Sequence, residues 1–528
     1  MPASIAVSGL TWSTPDGRPL FIDLHLGFER ERTGLVGRNG VGKSTLLALI
    51  EGRLPPQAGT VDVRGKIAVL RQVVQVGQNE TVADLFGVRD ALAVLQRAEA
   101  GEASVDELAI ADWTLEARIA AALARTGLDA DLQTPLDALS GGQRTRAGLA
   151  ALLLDEPDFL LLDEPTNNLD RQGRHAVIDL LSTWPGGALI VSHDRELLET
   201  VDAIVELTSV GATRYGGNWS VYRERRALEL AAARYDLEAA ERRIAGIDED
   251  AQAMAERKAR KDGAGRKRAS KGGAPRILLG GQKERSEATG GGNVRLAERR
   301  RSQALAEATA ARARIEVLQP ITVALASTGL PAGRTVLRLD RVTFGHAGRL
   351  PVIRDLSFGI VGPERVAVTG PNGSGKSTLL ALATRRLQPA AGHVHVIPDT
   401  AMLDQHVSLL DPAISIRDNF RRLNPGTDEN ACRAALARLM FRADAALQVA
   451  GTLSGGQMLR AALACVVGGM RPPPLLVLDE PTNHLDVDSL EAVEAGLRAY
   501  DGALLVVSHD EAFLENIGIG RRLSLPPS

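Results

Sequence analysis

Apolar residues in this chain fall into short blocks rather than long runs. Thr33 to Val36 and Val366 to Thr369 read as buried strands, and each is followed by a helix-period pattern opening at Ser44 or Ser377. Residues 159–164 and 475–480 are apolar strands that end in Asp-Glu. Further strands end at Ser-His-Asp, at 192–194 and 508–510. Helical patterns run from Arg144 to Leu154 and from Met458 to Val467. Met1 to Leu10 reads as the first strand of a domain, without the basic and apolar blocks of a secretion leader. Strands alternating with helices predict an α/β fold. The longest apolar stretches, such as Ala147 to Leu154, fall far short of the ~18 residues that suggest a bilayer span.

The pattern then repeats. GRNGVGKST at 37–45 returns as GPNGSGKST at 370–378, LSGGQ at 139–143 returns at 453–457, LLLDEPTNNLD at 160–170 returns as LVLDEPTNHLD at 476–486, and IVSHD at 190–194 returns as VVSHD at 506–510. Four landmarks in one order predict two duplicated domains, residues 1–222 and 334–528. Between them, 223–333 is different. Residues 223–260 and 294–318 are rich in Ala, Arg and Glu and favour helix, whereas 262–292 carry a run of glycines. A helical hairpin with a Gly-rich tip near 261–292 is the expectation.

Charge sharpens that linker. The whole chain carries a net −3, yet residues 223–320 hold 23 Arg and Lys against 15 Asp and Glu, so the remainder is near −11. Of eight lysines, Lys258, Lys261, Lys267, Lys271 and Lys283 lie in this one stretch. Such a patch suits a polyanion, and equally a solvated helical face. The tip has no aromatic residue for base stacking, which favours backbone and shape recognition of structured RNA, and Leu278 and Leu279 are candidates for docking the tip. The two cysteines, Cys432 and Cys465, exclude a disulfide framework and a four-cysteine zinc or iron–sulfur module, and fit a reducing cytosol.

Each repeat carries a phosphate loop between strand and helix. Gly37, Asn39, Gly40, Gly42, Lys43, Ser44 and Thr45, and likewise Gly370, Asn372, Gly373, Gly375, Lys376, Ser377 and Thr378, would wrap ATP phosphates with backbone N–H groups. The lysines would reach the β- and γ-phosphates, and Ser44 and Ser377 would hold Mg2+. Asp163 and Asp479, at the strand ends, can bind the same ion through water, while Glu164 and Glu480 are placed to polarise the attacking water. Asp155-Glu156-Pro157 mimics this motif but reads as a helix terminus. Ser140, Gly141, Gly142 and Gln143, and Ser454, Gly455, Gly456 and Gln457, form a second anion-binding helix start in each domain. Because each domain already has a phosphate loop, this second site calls for a nucleotide from the other domain, paired head to tail. His193 and His509 can then contact the γ-phosphate.

These motifs resemble the Walker A, signature, Walker B and switch elements of ABC ATPases. The resemblance assigns Gln72 and Gln405 to the metal-contacting Q-loop, Asp170 and Asp486 to the D-loop, and Trp12 and Phe344 to adenine stacking. Two cassettes in one chain, DEPTN-(N/H)-LD in both, a charged helical linker and the exit segment Tyr215 to Tyr222 resemble the ABC-F family over essentially the whole length. That likeness implies two P-loop ABC-type nucleotide-binding domains joined by a long α-helical hairpin, ATP and Mg2+ as cofactors, a cytoplasmic location, and an ATP-gated role on the ribosome with tRNA or rRNA at the linker. A duplicated ATPase subunit of a membrane importer, or a nucleic-acid-repair ATPase, is the alternative. Departures from the pattern are Asn168 against His484, and 67 residues from Gln72 to Leu139 against 48 from Gln405 to Leu453, room for a short arm in the first domain. No C-terminal domain is expected after His509.

Overall fold

The computed structural model describes all residues except 1–2, 71–79, 140, 168, 209–210, 270–297, 313–324, 346–350, 406, 484 and 527–528. Its contacts divide the chain into two compact units: Met1–Ser220 with Ile321–Ser528, and Val221–Pro320. The first unit holds both cassettes.

Each cassette is built on a mainly parallel sheet of buried strands. In the first, the order is Ile67–Leu70, Phe159–Asp163, Gly187–Val191, Arg32–Val36, Ala203–Thr208 and Gly211–Gly216, the last pair antiparallel. In the second it is Thr400–Leu403, Leu475–Asp479, Ala503–Val507, Arg365–Thr369 and Arg521–Ser524, all parallel. The central strands are apolar at consecutive positions because both faces are covered: in the second cassette one packs on the phosphate-loop helix and an antiparallel sheet, the other on helices. Registers match between repeats: Leu161 faces Leu189 as Val477 faces Leu505. These pairings set the two strand-end carboxylates beside the phosphate loops. A three-stranded antiparallel sheet flanks each one, in the orders Pro19–Phe28, Ser4–Ser13, Ala58–Arg64 and Ile353–Val361, Thr335–Phe344, Ala391–Val396.

In the first cassette the longer interval holds helices Arg89–Glu99, Val105–Ile110 and Leu115–Arg125. The short middle helix buries none of its residues, and Val105, Ile110 and Trp113 are exposed. The helix after the first signature ends at Leu154, and Glu156 then takes a left-handed backbone before the strand at Phe159, as expected for a helix terminus.

In the second unit, helix Trp219–Ala269 runs 51 residues, and 298–312 form a second helix. The first helix continues through Gly263 and Gly265, beyond the break expected at 262, because two glycines cost only about 1 kcal/mol each against flanking Ala, Arg and Lys. Ala233, Ala240, Ala304, Ala308 and Ala311 are buried, so small side chains let the two helices approach closely. Arg243–Glu307 at 2.8 Å, Asp248–Arg301 at 2.8 Å and Glu241–Arg312 at 2.6 Å fix an antiparallel register. Lys271, Lys283, Leu278 and Leu279 lie outside the described residues. Among the described residues no helix is long and apolar enough to cross a membrane.

Candidate functional site

Both phosphate loops fold the same way. Gly42 (φ 109°) and Gly375 (φ 91°) precede helices Lys43–Ile50 and Lys376–Ala383 in a left-handed conformation, and a Cβ there would press on Phe21 or Val352. The helices thus begin one residue before the expected serines. Lys43 Nζ donates to the carbonyls of Gly37 (2.7 Å) and Arg38 (3.2 Å), and Lys376 Nζ to those of Gly370 (2.8 Å) and Pro371 (3.0 Å). Burial lowers the pKa of both lysines, partly offset by Glu164 and Glu480 respectively.

The strand ends converge on these loops. The Ser44 hydroxyl bonds the Asp163 carboxylate, and Ser377 bonds Asp479. Asp479 Oδ1 is buried without a hydrogen-bond partner. Hydroxyl and carboxylate oxygens with Gln405 nearby fit a hard cation, which takes one or two carboxylates and completes its shell with water and phosphate. Among the described residues no group of three His, Cys, Asp or Glu is placed to hold a metal ion. Gln72 lies outside the described residues.

Glu164 (φ 51°) and Glu480 (φ 48°) both adopt the left-handed region, a strained backbone repeated at the same place in the two copies. Burial pushes the Glu164 carboxyl up to about 8 and that of Glu480 to about 7, against the pull of the adjacent lysine. His193 Nε2 stands 3.3 Å from Glu164 Oε1, and His509 Nε2 stands 3.4 Å from Glu480 Oε1. These pairs are close but not aligned as hydrogen bonds, and both Nε2 atoms are buried without a partner. Burial lowers the imidazoles to about 3 and about 4, so both rings are neutral at neutral pH.

The signature segments differ from expectation in their start. The helices are Gly141–Leu154 and Gly455–Val467, three residues longer than the apolar pattern suggested. Ser454 caps its helix: Ser454 Oγ accepts from Gln457 N and Gln457 Oε1 accepts from Ser454 N. The second LSGGQ is therefore itself a capping box, and its glycines sit in the first helical turn. Ser140 lies outside the described residues, as do Asn168 and His484.

Two cavities result. One, of about 450 Å³, is lined by Asn39, Gly40, Gly42 to Thr45, Asp163, Glu164 and His193, and also by Gly455 of the second cassette. The other, of about 470 Å³, is lined by Asn372, Gly373, Gly375 to Thr378, Gln405, Asp479, Glu480 and His509 together with Glu164, Asn167, Arg174, His193 and Asp194 of the first, so Glu164, Asn167 and His193 border both. Gly141, Gly142 and Gln143 are not among its described lining residues, and Ser454, Gly456 and Gln457 are absent from the first cavity. Trp12 and Phe344 are half-buried, pack against their cassette cores, and line neither cavity. Thr14, Arg18 and Leu20 line the first cavity, and Val352 the second.

The two cassettes touch around these cavities. Asp170 and Asp486 cap helices Arg171–Ser182 and Val487–Ala499, and Asp486 Oδ2 also accepts from Asn39 N at 2.7 Å. Arg38–Asp488 (2.8 Å), Arg171–Glu511 (3.4 Å) and the buried pair Arg195–Glu494 (2.7 Å) cross between cassettes. Arg174, Arg195 and Glu494 lie outside the repeated motifs. Their only sequence signal is the place where the copies differ, Arg174 against Leu490 and Arg195 against Glu511.

Paired phosphate loops, each with its strand-end Asp-Glu and switch histidine, define a tandem ATP-binding-cassette protein. A family profile described as ABC transporter matches residues 23–167 and 353–483. The chain is 34% identical to the tylosin resistance ATP-binding protein TlrC of Streptomyces fradiae, over 91% of this chain and 90% of that one. It is 32% identical to the energy-dependent translational throttle protein EttA of Mycobacterium tuberculosis (92% and 84%), and 30% identical to the ATP-binding protein Uup of Escherichia coli (96% and 78%). The fold is shared with an archaeal ribosome recycling factor, aABCE1, solved with a ribosomal stalk protein, at TM-score 0.54, 18% identity and coverage of 96% and 86%. The chain belongs to the ABC-F family of ABC proteins and carries two ABC ATP-binding domains.

Proposed function

We propose that this chain hydrolyses ATP at two composite sites between its cassettes and uses the cycle to engage and release the ribosome from the cytoplasm. The observation that carries the reading is that each cavity built on a phosphate loop is completed by the opposite cassette: Gly455 beside Lys43, and Asn167, Arg174 and Asp194 beside Lys376. This supports head-to-tail pairing closed by a shared nucleotide.

Lys43 and Lys376 would leave their loop carbonyls for the β- and γ-phosphates, and the loop N–H groups would hold the remaining oxygens. Glu164 and Glu480 would orient water for attack, and the free nitrogens of His193 and His509 suit a γ-phosphate oxygen. Ser44 with Asp163, and Ser377 with Asp479 and Gln405, would hold Mg2+, which when bound neutralises charge on the phosphate oxygens. Gln72, Ser140, Trp12 and Phe344 keep their family-implied roles within this proposal, the aromatic pair needing to turn from the core to reach adenine.

The ribosomal part draws on the relatives, one named for translational throttling and one for resistance to tylosin. Phosphate contacts made by a linker that carries 23 basic against 15 acidic residues weaken as salt rises. The test is co-sedimentation of the Glu164→Gln, Glu480→Gln double variant with ribosomes. ATP should raise its ribosome-bound fraction well above that of the unsubstituted protein, and salt should lower it. No ATP-dependent gain would refute the gating.

A further inference from the structure

Arg174 is the fourth residue after the Asp170 cap, in the first turn of helix Arg171–Ser182, and it is buried. Its guanidinium faces two ways. Nη2 lies 2.8 Å from Asp194 Oδ1, one residue beyond the first switch histidine. Nη1 donates to the main-chain carbonyl of His509 at 2.6 Å, in the other cassette. It lines the cavity of Lys376 and Glu480. Its Nε, also buried, has no partner.

A carbonyl held by a charge-assisted bond fixes the peptide plane between His509 and Asp510, and so the direction in which the imidazole leaves the chain. The position in the second cassette that matches Arg174, counted from Asp486, is Leu490. Leu490 is buried, lines this same cavity, and has no group with which to bond a carbonyl. Leu490 does not appear among the described residues that line the Lys43 cavity, so the second cassette offers no guanidinium there to match Arg174.

We propose that Arg174 is a positioning residue given by the first cassette to the second ATP site, where it holds the His509 switch against Glu480, and that the Lys43 site works without this support. The inference rests on the hydrolytic reading above and adds that the sites turn over unequally.

The test uses the full chain with one site silenced at a time. In Glu164→Gln protein, which leaves the Lys376 site, Arg174→Leu should lower kcat about tenfold with KM within twofold, the loss expected of one charge-assisted bond. Arg174→Lys, which keeps the charge but not the fork, should recover part of that loss. In Glu480→Gln protein, which leaves the Lys43 site, Arg174→Leu loses the Asp194 pair beside His193 but no bond to that switch's carbonyl, so kcat should fall by a smaller factor than at the Lys376 site. Equal losses at both sites, or an unchanged kcat at the Lys376 site, would overturn the proposal. Amide hydrogen exchange of nucleotide-free protein gives a readout independent of hydrolysis. Arg174→Leu should speed exchange in residues 508–513 several-fold while the core strand 475–479 stays protected. Unchanged exchange at 508–513 would overturn the positioning role. Absence of ATPase activity in every variant would count against the hydrolytic reading, and the exchange result would still decide the part played by Arg174.

Discussion

Replacing Arg195 tests how strongly the two cassettes are locked. Arg195 Nη1 meets Glu494 Oε1 at 2.7 Å, with side-chain exposures of only 8% and 4%. Glu494 Oε1 also accepts from Asn516 Nδ2 at 3.1 Å, while Arg195 Nε is buried without a partner. Arg195→Met would leave a buried carboxylate with one amide donor. Glu494→Leu would leave a buried guanidinium with its chief acceptor gone. Breaking one side of a buried pair costs about 3–5 kcal/mol, because the surviving charge stays desolvated. The double substitution removes both charges and the unpartnered Nε, and apolar replacement of a buried pair is about neutral. The double variant should therefore recover most of either single loss, giving a coupling above about 3 kcal/mol in a double-mutant cycle. The assay is urea unfolding of the nucleotide-free full chain, extrapolated linearly to water. Single losses under about 1 kcal/mol, or losses that simply add in the double variant, would refute the reasoning.

Gly37→Ala should abolish nucleotide binding at the first site: at φ 149° an added Cβ would lie 2.3 Å from the Leu207 carbonyl, and fluorescent-nucleotide titration would show the loss. In the hairpin, Ala308→Leu should lower helix stability by about 1–3 kcal/mol through overpacking of a seam where Ala308 is 1% exposed, read as a shift in thermal circular dichroism. Asp202 has its carboxyl held below the usual range, chiefly by its hydrogen bonds from Arg32, burial opposing. A depressed carboxylate stabilises above its unfolded pKa of about 3.9 and loses that contribution as pH falls through the folded value. Asp202 is 44% exposed in its side chain, so Asp202→Asn should cost under about 1 kcal/mol at pH 7, the difference vanishing in acid.

Much of the fold was readable because phosphate loops, strand-end carboxylates and switch histidines depend on local backbone geometry that few sequences can supply. The buried strands at 159–163 and 475–479 announced themselves by unbroken apolar runs. Helix starts were less legible. Two glycines in LSGGQ suggest a loop, yet the Ser–Gln capping box outweighs them and starts the helix at Gly455. Gly263 and Gly265 misled in the same way, since propensity is a sum over many neighbours. Of the flanking antiparallel sheets the strand read at Met1 to Leu10 was anticipated, and it appears as Ser4–Ser13; the sheets as such were not, because strands such as Ala58–Arg64 are mostly exposed and carry weak alternation. Arg174 and Arg195 were invisible as site residues: their partners are 335 and 299 positions away, and only the folded chain joins them.

Those distant partners also explain why a duplicated chain need not have interchangeable halves. The first cassette supplies Arg38, Arg171 and Arg195, and the second answers with Asp488, Glu511 and Glu494. At the matching positions the second cassette has Pro371, Val487 and Glu511 in place of the arginines. The first has Gln172, Arg195 and Ile178 in place of the acids. Two copies of the first cassette, placed the same way, would set Arg195 against Ile178, a desolvated cation facing an apolar side chain. Two copies of the second would set Glu511 against Glu494, like charges in a buried place. Charge complementarity of this kind acts on pairing by penalising the wrong partner as well as by favouring the right one. The chemistry that the copies share stays in the phosphate loops and strand ends. The differences gather where the cassettes meet, so that one polypeptide closes on itself in one arrangement.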